Sequence, residues 1–461
     1  MIETTNRLVD HIAGARFADL GPGDVEKAKT FLLDTLGAGI AGSRGEHVSE
    51  LIDTVRTWGQ GDEAAVWVTG ERLNAQAAAV VNAYQIHCLE FDCVHEGAVV
   101  HPMATVLSTL IAYSERRSAQ QRPVNGEEFL LALAIGVDIA TFMGIAATGP
   151  IRFFRPATAG GLGATAAIAR LEGLDHAGIK NALGAMYGQT CGTLQPHLEG
   201  SPLLGLQIGF NARGALVALE LAKAGFRGPH DIFDGQYGYF AMFEDNQYDL
   251  DLIWELMGAE WQISQLSHKP FPSGRLTHGV IDALQKVTEE HGVSSDDIVA
   301  ITGYVPPLVY RLVGRQDVPH PEPNYAKLCL AYVAGAWMAR GQVDLAEFRG
   351  RETLSDPAIH AHAAKVDLHL DDNPDQNALC PLRFVFRMSD GRSHEIHLQN
   401  VIGHPEAALT AVQNRAKFDR CLTHAIKPLG VSQGAAIADA VEKIEAMDDV
   451  AGLARLTLAG Q

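Results

Sequence analysis

The stretch from His87 to His101 holds three histidines (His87, His95, His101) and three carboxylates (Glu90, Asp92, Glu96) within fifteen residues, beside an apolar segment. Burial and close neighbours shift the pKa values of such groups, so this cluster is a candidate source of a general acid or base. The alternative is structural: His87 as a hydrogen-bonded core histidine and Glu96 as a solvated surface charge. His95, Glu96 and His101 also raise the question of a metal, but their spacing matches no standard site.

A second cluster runs from His268 to His278. Lys269, Ser273, Arg275 and His278 surround a Pro/Gly-rich bend that leads into a helical pattern. Cations and a hydroxyl at such a bend would cradle a carboxylate or phosphate. Lys269 is expected here as a loop charge whose removal would spare the fold. A third cluster, 151–163, contains Arg155 and the glycines Gly160, Gly161 and Gly163. No strand precedes these glycines and no Gly-Lys-Ser/Thr follows, so they point to close helix packing and not to a phosphate loop. Arg155 stands as a candidate anion clamp. There is no Gly-x-Ser-x-Gly elbow for a serine hydrolase. Without spaced Cys/His pairs or nucleotide loops, no metal and no organic cofactor is expected.

The elements that must position these residues are mostly helical. Among 461 residues, 47% are hydrophobic, enough for two domains with cores of their own. Helices are expected over Asp24–Gly42, Glu127–Ala147, Gly160–Leu171, Asp175–Tyr187 with Asp175 as N-cap, and Gly205–Ala224. In the first, Val25, Ala28, Phe31, Leu32, Leu36 and Ile40 form the apolar stripe. After Trp261 the texture changes. Strands are expected at Val299–Tyr304, Val366–Leu370, Leu382–Met388 and His394–Leu398, the last two joined by a turn at 389–392. A helix at Tyr325–Arg340 falls between them. From about residue 406 the pattern is helical again, with Val412, Phe418, Leu422 and Ile426 as its stripe. The fold class is therefore mostly α with an inserted α+β domain: a helical bundle from 1–268 and 404–461, and an α+β domain from 269–403.

The formal net charge is −19, from 55 acidic and 36 basic residues. That excludes a nucleic-acid partner and an anionic membrane surface as expectations, but not a small anionic substrate held by a few convergent cations. The six cysteines form no CxxC pair, which fits a reducing, cytoplasmic setting. No signal peptide is expected at the start of the chain. The most apolar segment, Leu130–Ala147, is expected to be a buried helix and not a membrane span.

Taken together, these segments resemble the MmgE/PrpD family. The resemblance covers essentially the whole chain: Phe31–Gly39, Asn82–Asp92 followed by His101-Pro102, Phe154–Ala164, Lys269–Pro272 through His278, and Tyr325–Ala336. Family members include 2-methylcitrate dehydratase, cis-aconitate decarboxylase and iminodisuccinate epimerase. The resemblance implies a two-domain fold, a homodimer, and a site between the domains. It implies catalytic roles for Asp92, His101, Lys269 and His278, with His87, His95, Arg155, Ser273 and Arg275 binding substrate. Four positions depart from the family pattern: Cys93 stands where a second Asp is usual, Arg155 where a His is usual, and Leu204 and Gln207 where Lys and His are usual.

The implied reaction is that of a lyase acting α to a carboxylate of a small di- or tricarboxylic acid, dehydratase-like or decarboxylase-like, by acid/base proton abstraction. An epimerase or isomerase would share the first step and return the proton to the other face. A carboxylate-binding homologue without catalysis is the reading from another class.

Overall fold

The computed structural model describes residues 3–460. Its helical part is organised around α1 (Pro22–Gly42), α2 (Ala75–His87), α3 (Pro102–Ala119), α4 (Gly126–Ala146), α5 (Arg155–Glu172) and α6 (Leu203–Lys223). The starts follow from local chemistry. Asn74 caps α2 by accepting from Ala77 N at 2.8 Å, and Asn125 caps α4 by accepting from Glu128 N at 2.9 Å. Pro102 and Pro156 open α3 and α5, where a missing N–H costs nothing. Asp175 caps the helix His176–Tyr187 as expected, accepting from Gly178 N at 2.8 Å.

Helix α4 is long and apolar enough to cross a membrane, yet it lies almost wholly inside the protein. The glycines of α5 serve packing. A Cβ on Gly163 would fall 2.3 Å from the Gly136 carbonyl oxygen of α4, and one on Gly160 would fall 2.5 Å from Thr105 of α3. The backbones can approach this closely only because no side chain stands between them.

The second part contains a four-stranded sheet: β1 (Ile298–Val305), β2 (Val366–Leu370), β3 (Leu382–Met388) and β4 (Ser393–Leu398). The order is β2-β1-β3-β4, with β1 and β2 parallel and the other pairs antiparallel. Leu382, Phe384, Phe386 and Met388 alternate onto one buried face. Helix α7 (His278–His291) packs on that sheet, and α8 (Leu330–Arg340) packs on α7. The β3–β4 turn closes with Met388 N donating to Arg392 O at 2.8 Å and Gly391 at φ +87°.

After the sheet, α9 (Ala411–His424) returns to pack against α1. One apolar core joins residues from Leu8 to Leu266 with Phe418–Ala454; a second spans Val280–Val401. The two interlock, since Leu328 and Leu345 enter the first core and Ile151 enters the second.

Three local expectations need correction. Val412 and Ile426 are 79% and 49% exposed, so the buried side of α9 is carried by Lys417, Phe418, Cys421 and Leu422. Val25 is only half-buried. The helix expected over Tyr325–Arg340 is two helices, Pro323–Lys327 and α8, with a break at Leu328-Cys329. The break is tertiary in origin: the Lys327 carbonyl accepts from Gly274 N, and the Lys327 ammonium reaches across to the helical part.

Gly163→Ala should lower stability by about 1–3 kcal/mol, because the added methyl meets backbone. Gly23→Ala, in α1 with nothing within 4 Å, should be neutral or slightly stabilising. Denaturant midpoints compare the two; equal midpoints would refute the close-packing reading.

Candidate active site

Helix α2 ends at His87 and α3 begins after His101, so the loop 88–100 carries the first cluster between two helix ends. Glu90 (φ +53°) and Val99 (φ +54°) hold left-handed backbone conformations in this loop. For a β-branched valine that is costly, and such strain persists only where surroundings enforce it. Two long-range devices do so. Val94 and His95 pair antiparallel with Ser267 and Leu266, which brings Lys269 against the loop. From α9, buried Lys417 donates to Phe91 O at 2.8 Å and ion-pairs with Asp34 of α1 at 2.7 Å.

Asp92 lies fully buried between two imidazoles. Its carboxylate is 3.1 Å from His87 Nδ1 and 3.3 Å from His101 Nδ1. His101 Nδ1 is also 3.0 Å from the Cys93 carbonyl. A carbonyl only accepts, so Nδ1 carries the proton and Nε2 keeps its lone pair. Among the described residues that Nε2 has no hydrogen-bond partner, and His101 lines a cavity between the helical and α+β parts. His87 lines the same cavity. Its Nε2 is 3.3 Å from Glu90 Oε1, near enough for charge attraction but poorly aligned for a hydrogen bond.

The two imidazoles are driven apart in pKa. Burial opposes charge on His87, but Asp92 and Glu90 outweigh it and lift the group to about 9. Burial, and then the Lys269 ammonium, push His101 below its ordinary value. Near pH 7 the pair is therefore one imidazolium and one neutral imidazole, the arrangement that separates acid from base. Burial opposes charge on Asp92 as well, but His87 and His101 hold it well below the usual carboxylate range. The Cys93 thiol is buried and pushed far up by burial and then by Asp34, so it stays protonated.

Lys269 is completely buried, with Nζ 2.7 Å from Glu90 and 3.9 Å from Asp92. The expectation of an expendable loop charge does not hold. Arg275 also reaches the cavity, where Nε donates to Glu96 at 2.8 Å; its other N–H groups go to Glu96, His268 O, Val401 O and Ile402 O. His278 is buried behind it, its Nε2 donating to Ser273 O at 3.2 Å, and is held neutral by burial and then by Arg275. Ser273 pairs with Thr277 at 2.8 Å.

His87, His101 and Arg275 therefore meet in one cavity, with Asp92 and Lys269 directly behind its wall. His278 meets Arg275 from outside the lining, Nδ1 accepting at 3.4 Å, and Ser273 O holds His278 in turn. His95 is also outside it: Nε2 donates to Gln262 and Nδ1 accepts from Ala98 N. Arg155 is fully buried and held bidentate by Glu244 at 2.8 Å on both arms. It does not line the cavity. The sequence reading did not single out Glu90, His197, Lys327 or Glu244. Glu90 was legible as a member of the first cluster. Lys327, which donates to Cys88 O at 2.9 Å, sat inside an expected helix with no signal of its own.

His87, Asp92 and His101 also present ligand atoms within 4.8 Å of one another, a spacing that a metal ion would accept. The donor set fits poorly. Lys269 places a buried ammonium 3.9 Å from Asp92, where it competes with a cation for the carboxylate.

Two family models match the chain: the MmgE/PrpD N-terminal domain over residues 6–251 and the MmgE/PrpD C-terminal domain over residues 271–443. The chain belongs to the MmgE/PrpD family. It is 27% identical to a cis-aconitate decarboxylase of Mus musculus over 98% of this chain and 93% of that protein. It is 26% identical to one of Homo sapiens over 98% and 94%. A cis-aconitate decarboxylase-like protein of Aspergillus oryzae is 27% identical over 85% of each chain. This MmgE/PrpD chain is thus similar along nearly its full length to enzymes named as decarboxylases.

Two outcomes follow from the buried charges. Lys269→Ala leaves Glu90 and Asp92 without their ammonium and should cost about 3–5 kcal/mol, read as a fall in melting temperature; unchanged melting would show that the pair is not buried as described. Separately, a folded His87 near 9 exceeds the roughly 6.5 of an unfolded histidine. Its stabilisation is complete below about 6.5 and is lost as pH rises through about 9. Stability measured from pH 6 to 10 should decline over that window in the wild type and decline less in His87→Gln.

Proposed function

We propose that this protein is a lyase that moves a proton on the carbon next to a substrate carboxylate, with His101 Nε2 as base and His87 as acid. The observation that carries the reading is Asp92 held between the His87 and His101 imidazoles, both of which line one cavity. His101 Nε2 takes the proton from the α-carbon, and the electron pair moves into the carboxylate as an enolate-like form. The protonated His87 Nε2 stabilises that charge or delivers its proton to a departing β-hydroxyl, so that water leaves and an alkene forms. In a decarboxylation the order differs: carbon dioxide departs with its bond pair left on carbon, and an imidazolium supplies the proton. The names of the relatives favour decarboxylation, and the acid–base pair serves either course. Asp92 acts through the imidazoles, fixing their tautomers and the charge on His87. Glu90 and Lys269 hold Asp92 and His87 in that state.

An epimerase would need a second neutral base on the opposite face. His197, held neutral at about 3 by burial and then Arg315, also lines the cavity. Its Nδ1 accepts from Arg315 at 2.9 Å, which leaves Nε2 for that role. This keeps epimerisation as the second reading.

Proton NMR in deuterated buffer, with a panel of carboxylic acids, tests the proposal. His101→Gln should slow α-proton exchange or product formation by roughly a hundredfold or more. Activity of the wild type should fall on the alkaline side near pH 9 as His87 loses its proton. Wild-type rates in His101→Gln would remove this histidine from the mechanism.

A further inference from the structure

In a chain with a net charge of −19, cations that gather without carboxylate partners mark a place for an anion. They gather at a second cavity on the seam between the helical and α+β parts, which shares no lining residue with the cavity of His87 and His101. Arg44, just after α1, and His424, the last residue of α9, face it from the helical part. Lys327 and Arg349 face it from the α+β part. We infer that this second cavity is a binding site for a phosphate head, carried by free phosphate or by a small phosphate monoester. The site does not depend on the roles of His87 and His101.

These cations keep donors to spare. Among the described residues, Arg44, Lys327 and Arg349 form no ion pair with a carboxylate. Arg44 gives Nε and Nη2 to Ala425 O, which leaves Nη1 free of protein acceptors among those residues. The Arg349 guanidinium stands exposed at the rim and has no acceptor among them either. Buried Lys327 donates to Cys88 O and to Asn324, and an ammonium has a third proton to give. Burial pulls that ammonium below its ordinary pKa, a penalty that a bound anion would offset. Half-buried His424 is held neutral at about 4 by burial and then by Arg44 and Arg349, so it can donate or accept without adding charge.

Few carboxylates offset these cations. Glu46 is the one carboxylate in the lining; nearby Asp344 is held by Arg420 at 3.1 Å, and Glu90 by Lys269 at 2.7 Å. Three cations against one carboxylate leave a surplus of two positive charges. A single carboxylate on a ligand would balance half of that surplus. A phosphate monoester brings about −1.5 to −2 at pH 7, with three acceptor oxygens concentrated in one head. Two guanidinium forks suit that head, and the ammonium adds a point charge. A cavity of about 130 Å³ holds such a head with a small organic body, and Leu89 and Phe348 offer that body an apolar side. A ligand held this way would bridge the two parts of the fold.

Calorimetric titration of the full chain at pH 7 and constant ionic strength, with inorganic phosphate and with phenyl phosphate, tests the site. Tighter binding of phenyl phosphate assigns the ester; tighter binding of inorganic phosphate assigns the free ion. Arg349→Gln, at an exposed position, should weaken the tighter of the two at least about tenfold with an unchanged circular dichroism spectrum. Arg349→Lys keeps the charge and should lose less. Crystals of the full chain soaked in equal concentrations of that phosphate and of succinate should show a tetrahedral head among Arg44, Lys327 and Arg349. No binding of either phosphate, or unchanged affinity in Arg349→Gln, would overturn the inference. So would a soaked crystal in which the phosphate sits only in the cavity of His87 and His101, or in which succinate fills the second cavity instead.

Discussion

A carboxylate without water is among the least favourable groups to bury, and Asp92 is buried completely. It stays charged because two imidazole Nδ1 atoms and the Lys269 ammonium approach it from different parts of the chain. That one compensated charge, with Glu90, raises the pKa of His87, and it faces the Nδ1 atoms of both imidazoles. The surrounding architecture serves it. Helix α2 ends at one imidazole and α3 begins after the other. The pairing of 94–95 with 266–267 delivers Lys269, and Lys417 of the returning helix α9 ties down the Phe91 carbonyl. Breaking a pair inside such a network costs more than building it gains, because the partner is left as an isolated charge.

The positions at which this chain departs from the family pattern have different physical consequences. Cys93 is a neutral thiol near Thr35, so Asp92 has no second carboxylate beside it. Gln207 turns its amide to the backbone of Thr193, accepting from N at 2.6 Å and donating to O at 3.1 Å, and so braces the segment that carries Leu194 into the wall. Leu204 faces the cavity with an apolar surface. Arg155 is withdrawn altogether, its charge cancelled by Glu244.

The cavity lies where the two cores interlock. Ile151 and Leu328 line it while each packs into the core of the other part. Its shape therefore depends on how the α+β part is seated on the bundle. Lys327, from a short helix of the α+β part, donates to Cys88 O in the loop that carries Glu90 and Asp92. A change in the seating would reach the acid–base pair through that contact.

The sequence alone determined the class of fold and most of the elements. Helix and strand periods, capping residues and the turn at 389–392 are local properties, and binary pattern carries them without knowledge of partners. It also determined that His87, Asp92 and His101 belong together, because one loop between two helix ends brings them into reach. Tertiary structure alone decided which charges were free. Lys269 and Arg155 look alike in sequence, as cations beside prolines. One is buried against Glu90, 179 residues away, and the other against Glu244, 89 residues away. The exposed Val412 and the break at Leu328-Cys329 likewise depend on what packs opposite, which periodicity does not encode. The division has a simple cause. Hydrogen bonds within a turn or a helix are set by neighbours in the chain, whereas the availability of a buried charge is set by acceptors that only the folded chain brings near.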